Sequence, residues 1–278
     1  MRDLITITHL TLHEAFRRRI LLAALVCGAG FLALFAIGLH FMLRELSHRI
    51  GLGALERQVI LNMLTLAGLY ATNFLMVMTA VLLPVDTLSG EIDSGVMQTL
   101  ASKPIRRSDI VLGKWLGHLI VMSAYFTVLA GGVLLIARVL GHFTPPRVAQ
   151  GLPLMLLEGM VLLTLSIAGG TRLSTVTNGI LAFGLYGLAF IGNWVEQIGT
   201  IADNTAARNV GTVASLIMPR EALWQRAAWF MQPTITRELG NSPFSPLSVP
   251  SPAMVGWAGV YIAIALVVAV RGLQKRAL

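Results

Sequence analysis

The sequence predicts an all-α polytopic membrane protein, and three observations carry that reading. Of the 278 residues, 55% are hydrophobic and only 12% charged, whereas a soluble domain carries about 25% charged residues. The mean hydropathy is +0.75, so too little polar surface exists to coat a globule and lipid must cover the rest. The apolar residues also gather into six runs near the length of about 20 that crosses a bilayer core as helix. There the backbone has to satisfy its own hydrogen bonds.

The elements follow in order. In 1–19, Ile5, Leu12 and Phe16 share a helical face, Leu4 lies beside it, and Arg17, Arg18 and Arg19 follow. This pattern predicts an amphipathic helix on the membrane surface. It is expected to be retained, because no small-residue cleavage site follows a short apolar core. The first span, 20–43, contains Cys27, the one cysteine, expected as a small buried hydrophobe. A single thiol makes no intrachain disulfide and no cysteine-based metal site. The second span, 59–85, carries no charge. A segment at 86–113 leads to the third span, 115–137.

The fourth span, 148–171, contains Glu158. An acid at mid-span costs about 2.5–3.5 kcal/mol on insertion scales, so it should face the bundle interior. It reads equally as a pore contact or as a packing hydrogen bond, with Asn73 and His118 as candidate partners. The fifth span, 173–195, is thinned by Gly184 and Gly187. Gly113 and Gly117 mark the entry to the third. Both glycine pairs allow close helix approach, expected within the chain. An external segment at 198–252 has short helices over 204–231, broken at Pro219. Its Leu216, Ile217, Leu223, Trp224, Trp229 and Phe230 predict packing on the outer membrane face or on a partner protein. Proline-rich loop follows from Pro233 to Pro252. The sixth span, 253–270, stops at Arg271. No internal repeat is evident.

An even number of spans puts both termini on one side, which then carries 12 lysines and arginines against 9 on the other. The positive-inside rule puts that richer side, and both termini, in the cytoplasm. The net charge of +8 lies largely in short clusters beside apolar runs. That suits anionic headgroups rather than nucleic acid.

The most informative stretch is 91–114. Leu88, Ile92, Val96 and Leu100 recur every four residues and predict one apolar helical stripe. Pro104 closes that helix, and Ser108 or Asp109 can cap the next. A short helix crossing the cytoplasmic face between two spans is well placed to dock on a soluble partner. At these residues the chain resembles the ABC-2 class of ABC transporter permeases. Glu91, Gly95, Leu100, Pro104, Arg107, Gly113 and Lys114 match that class in order and spacing, whereas Val96 and Ala101 depart from it. Met218-Pro219-Arg220-Glu221-Ala222-Leu223 resembles a weaker element of the class. The branch it looks most like includes the permease used in nitrous oxide reductase maturation.

The resemblance implies an exporter of two permease copies and two separate ATPase subunits. Coupling and docking would fall to Glu91, Gly95, Val96, Leu100, Pro104, Arg106, Arg107, Gly113 and Lys114. ATP and Mg would be bound by the partner, since the chain has no G-x-x-x-x-G-K-[ST] phosphate loop. The permease itself is expected to hold no cofactor, no metal and no catalytic residue: there is no His-Glu-x-x-His and no G-x-S-x-G pattern. The 12 methionines scatter through apolar spans as gap fillers. Three other readings compete. A membrane-embedded lipid-modifying enzyme would need more polar residues at one depth, and an anchor or assembly scaffold leaves 91–114 idle. A secondary transporter would need a repeat or paired ions.

Overall fold

The computed structural model describes residues 2–48, 53–95, 105–234, 237 and 249–275. Among the described residues there are helices and no strands. Six helices are long and apolar enough to cross a membrane. These are α2 (Arg19–His48), α3 (Ala54–Leu82), α5 (Arg107–Gly141), α6 (Val148–Gly170), α7 (Thr175–Ile201) and α10 (Ala253–Lys275). Shorter helices among the described residues include α1 (Arg2–Arg17), α4 (Ser89–Asp93), α8 (Thr205–Ile217) and α9 (Arg220–Phe230). At about 1.5 Å per residue, the 35 residues of α5 run well past a hydrocarbon core of about 30 Å.

Helices α3, α5 and α6 form the centre, where Leu66, Leu69, Met76, Met122 and Leu162 are fully buried. The crossing is close because Gly159 on α6 has no side chain. A Cβ there would stand 2.9 Å from Met122 Sδ and 3.0 Å from Met76 Sδ. Flexible thioethers fill the space that branched side chains would leave irregular. Helices α2, α7 and α10 ring this centre and leave large apolar side chains such as Leu34 and Ile180 exposed. Lipid is the medium that suits such faces. Cys27 is exposed on α2, so the expectation of a buried cysteine is corrected: α2 is peripheral and the thiol lies on its outward side.

Helix α1 packs along the start of α5. A Cβ on Gly113 would meet Ile7 Cγ2 at 2.7 Å, and one on Gly117 would meet Thr11 Cβ at 2.7 Å. The glycine pair is therefore an intrachain seat for α1. The buried face of α1 is Ile7, Thr11 and Ala15. Ile5 and Phe16 are exposed instead. The two ends of the predicted stripe thus point away from the protein, Leu12 between them is partly buried, and the face of Ile7, Thr11 and Ala15 points in. Gly184 and Gly187 have open space before them, so they seat no helix within the chain.

Span limits shift in places. Helix α3 ends at Leu82, three residues before the expected 85, and turns occupy 83–88. Helix α5 starts at Arg107 with Arg106 as N-cap and no side-chain capping bond, so neither Ser108 nor Asp109 caps it. Helix α7 continues to Ile201 and α10 to Lys275, beyond the expected 195 and 270. Aliphatic stems of Arg271 and Lys275 let the helix continue past the core boundary.

The segment after α7 enters the bundle rather than lying on its face. Helix α8 doubles back along α7: a Cβ on Gly192 would meet Ala214 Cβ at 2.3 Å, and one on Gly199 would meet Ala207 Cβ at 2.7 Å. Pro219 reverses the chain, and α9 returns toward the same end. There Met231 O accepts from Asn62 Nδ2 at 3.0 Å. Leu223 and Trp224 are buried in the main core, and the Trp224 ring lies tilted against Tyr70 at 5.0 Å between centroids. Leu216 and Ile217 remain exposed. The α8–α9 hairpin is therefore re-entrant, with its tip near the level of Glu158.

Candidate coupling face and buried charge cluster

Two groups of polar side chains stand out, one at the end of the bundle that holds both termini and one inside it. At the first, α4 begins after the turns at 83–88 and runs only five residues. Gly95 ends it, with φ of +76° and open space where a Cβ would be. Only glycine adopts that left-handed backbone without steric cost. The expected stripe through Leu88, Ile92, Val96 and Leu100 is thus interrupted at Gly95. Leu88 is buried and Ile92 partly so, while Val96, Leu100 and Pro104 lie outside the described residues.

Glu91 and Lys114, the acid and the lysine of the motif, form an ion pair with each other. Lys114 is 4% exposed, so its charge faces the protein rather than solvent. The pair ties α4 to the second turn of α5. Arg107, also in the motif, donates from Nη1 to the Leu273 and Gln274 carbonyls at 2.8 and 2.9 Å. It thereby holds two of the carbonyls that the end of α10 leaves without helical partners. Arg106 is exposed. Gly113 takes α1 against α5, as described above.

Neighbouring contacts extend this face. Arg18, just beyond α1, pairs with both Glu14 and Asp86. Burial raises the Glu14 carboxyl, but the hydrogen bond and charge of Arg18 outweigh it, and the net shift is downward. Ser89 Oγ and Thr175 Oγ1 lie 2.8 Å apart, linking α4 to the start of α7. His118 is buried against Thr87 Oγ1 at 3.2 Å, and its Nδ1 meets Lys114 O at 2.8 Å. It therefore belongs to this end of the bundle and does not approach Glu158. One residue on a 35-residue helix sets that depth, which sequence spacing alone does not fix.

The second group centres on Glu158, which is fully buried. Asn73 Nδ2 donates to both of its carboxylate oxygens at 2.9 Å. Arg220 Nε lies 2.5 Å from Glu158 Oε1. Arg220 also pairs with Glu221, and its guanidinium lies 4.1 Å over the Tyr186 ring. Asn193 Nδ2 approaches Glu221 Oε2 at 3.4 Å, and Gln225 Nε2 donates to Asn193 Oδ1. The hairpin tip is thus locked to α6, α3 and α7 by charge as well as by packing. Charges removed from water in this way persist only when paired and hydrogen-bonded.

Sequence reasoning missed Arg220 and Glu221 as members of this group and counted Arg220 as an external loop charge. The signal was present: an acid within a span calls for a base, and Arg220 lies in a segment rich in apolar residues.

A family model described as ABC-2 family transporter protein matches residues 8–278. The chain is also similar to the "Probable ABC transporter permease protein NosY" of Stutzerimonas stutzeri, at 28% identity over 123 residues. That similarity covers 44% of this chain and 41% of the relative, so the chain spans less than half of the curated relative it matches. With the family match running over nearly its whole length, the chain belongs to the ABC-2 family of transporter proteins, membrane components of ABC transporters.

Proposed function

We propose that this chain is the permease of an exporter driven by a separate ATPase subunit that seats on the segment 86–113. The observation that carries the proposal is the Glu91–Lys114 pair, in which the lysine is buried and the acid partly so. It makes α4 a short rigid piece fastened to α5, so a load applied at this face reaches a membrane helix directly. Arg107 passes the same load to α10, and Arg18 to the turn after α3. Exposed Arg106, with Val96, Leu100 and Pro104 beside it in sequence, supplies the docking surface. ATP and Mg belong to the partner, because the sequence has no phosphate loop.

The functional unit is two copies of this chain with two ATPase subunits, in the cytoplasmic membrane with both termini inside. Arg220 supports that orientation, since a guanidinium paired within the bundle carries no topological weight. Setting it aside leaves eight basic residues on the outer side against 12. The α8–α9 hairpin then enters from the outer face. Movement of α5 and α10 shifts the core against which the hairpin tip is locked, biasing two arrangements of the pathway.

The test is co-reconstitution of the full chain with its ATPase in vesicles. Gly95→Glu should leave insertion and complex assembly intact and abolish the stimulation of ATP hydrolysis by the permease. Unchanged stimulation would refute docking at this segment.

A further inference from the structure

At the end of the bundle opposite the termini, a cavity of about 290 Å³ opens between the start of α3, the α5–α6 turn and the stretch after α9. Gln58, Thr144, Arg147, Gln232, Thr234 and Arg237 line it. Two of the six are arginines, and the described lining residues include no acid. Arg147 is also the N-cap of α6, a helix of 23 residues, so the start of that helix lies beside the cavity. Of the first-turn N–H groups, that of Gln150 already donates to Arg147 O at 2.9 Å, while those of Val148 and Ala149 sit at the positive end of the helix dipole. Arg237 stacks 4.1 Å over the Trp229 ring, which fixes its plane, and its Nε is buried without a hydrogen-bond partner among the described residues.

We infer that this cavity binds an oxyanion of the phosphate class, supplied by a phospholipid headgroup or by a free anion. The chemistry is that of two guanidinium forks lining one volume beside the positive end of a helix. The Gln58, Thr144 and Thr234 side chains add neutral polar groups able to meet the remaining oxygens. The size suits one such group with its waters, being at the lower edge of ordinary ligand pockets of about 300–1,000 Å³. The like charges need a counter-ion: burial first, and then the charge of Arg147, hold the Arg237 guanidinium below its usual range. A bound anion reverses that repulsion. The site lies where α6 begins and α5 has ended, the level of a headgroup layer for helices of these lengths. It is independent of the coupling face at the other end.

The experiment uses the purified full chain in phosphatidylcholine nanodiscs. Two probes are applied: inorganic phosphate, followed by calorimetry, and phosphatidylglycerol, followed by retention in native mass spectrometry. Saturable binding of either that falls at least tenfold in both R147Q and R237Q supports the site. Phosphate binding alone identifies a free anion, and phosphatidylglycerol retention alone a lipid headgroup. As a readout on the unaltered chain, the ligand should slow phenylglyoxal modification of Arg147 and Arg237, scored by peptide mass spectrometry. No saturable binding of either probe to the wild-type chain, or equal binding by both variants, overturns the inference.

Discussion

Arg220 on the re-entrant hairpin and Glu158 at the middle of α6 meet at 2.5 Å with neither side chain open to solvent. Glu221 is the second acid on the same guanidinium, so the two substitutions that break the contact are not equivalent. Glu158→Leu leaves a balanced Arg220–Glu221 pair. Arg220→Leu leaves two buried carboxylates with no base between them. Arg220→Leu should therefore cost about 3–5 kcal/mol and Glu158→Leu clearly less, measured by reversible unfolding in mixed micelles. Equal losses would show that the guanidinium does not arbitrate between the acids.

The Glu91–Lys114 pair is predicted to be a fastener whose geometry matters more than the identity of its ends. Lys114→Met strands the Glu91 carboxylate and should lower stability by roughly 3 kcal/mol. The exchanged double variant E91K/K114E should recover about half of that loss or more. Recovery of ATPase stimulation alongside stability would tie the fastener to coupling.

Gly95 separates backbone demand from side-chain bulk. Because φ is +76° and the space is open, Gly95→Asn should be tolerated better than Gly95→Val, by about 1–2 kcal/mol of local strain. Hydrogen exchange at the amides of α4 reads the difference. Identical exchange in the two variants would rule out a left-handed requirement.

Gly117→Leu should detach α1. A Cβ alone would already stand 2.7 Å from Thr11 Cβ, and overpacking of this kind costs about 1–3 kcal/mol. Proteolysis after Arg17 or Arg19 should quicken severalfold, with the six spans still inserted.

The corner between α1 and α2 should loosen in acid. The Glu14 carboxyl titrates below its ordinary value of 4.5, so its contribution is complete above that value and disappears as pH falls through the lower folded one. The protection of α1 amides, corrected for the intrinsic pH dependence of exchange, should be flat from about pH 7 to 5 and fall below about pH 4. Glu14→Gln should abolish the acid step.

The spans were legible in the sequence because length and composition alone specify a helix in hydrocarbon. Asn73 beside Glu158 could be named, because polar groups inside a span have few partners to choose from. Arg220 could not, because α9 carries no clean apolar stripe: a helix buried on most sides shows no period. His118 could not be placed for a related reason, since spacing along one helix says nothing of depth relative to another. The coupling stripe looked continuous because periodicity counts side chains and ignores the one glycine whose backbone turns left.

The hairpin tip also constrains the order in which the molecule can be built. Helices α8 and α9, of 13 and 11 residues, are each too short to enter a bilayer as independent spans. An unaccompanied guanidinium would resist entry further. The counter-charge stands on a helix made earlier in synthesis, so α6 must be seated before the hairpin can follow. The tip is accordingly a late event that reports completion: a chain halted before it would hold an acid in its centre with Asn73 but no opposite charge to answer it, a flaw that quality-control proteases could recognise.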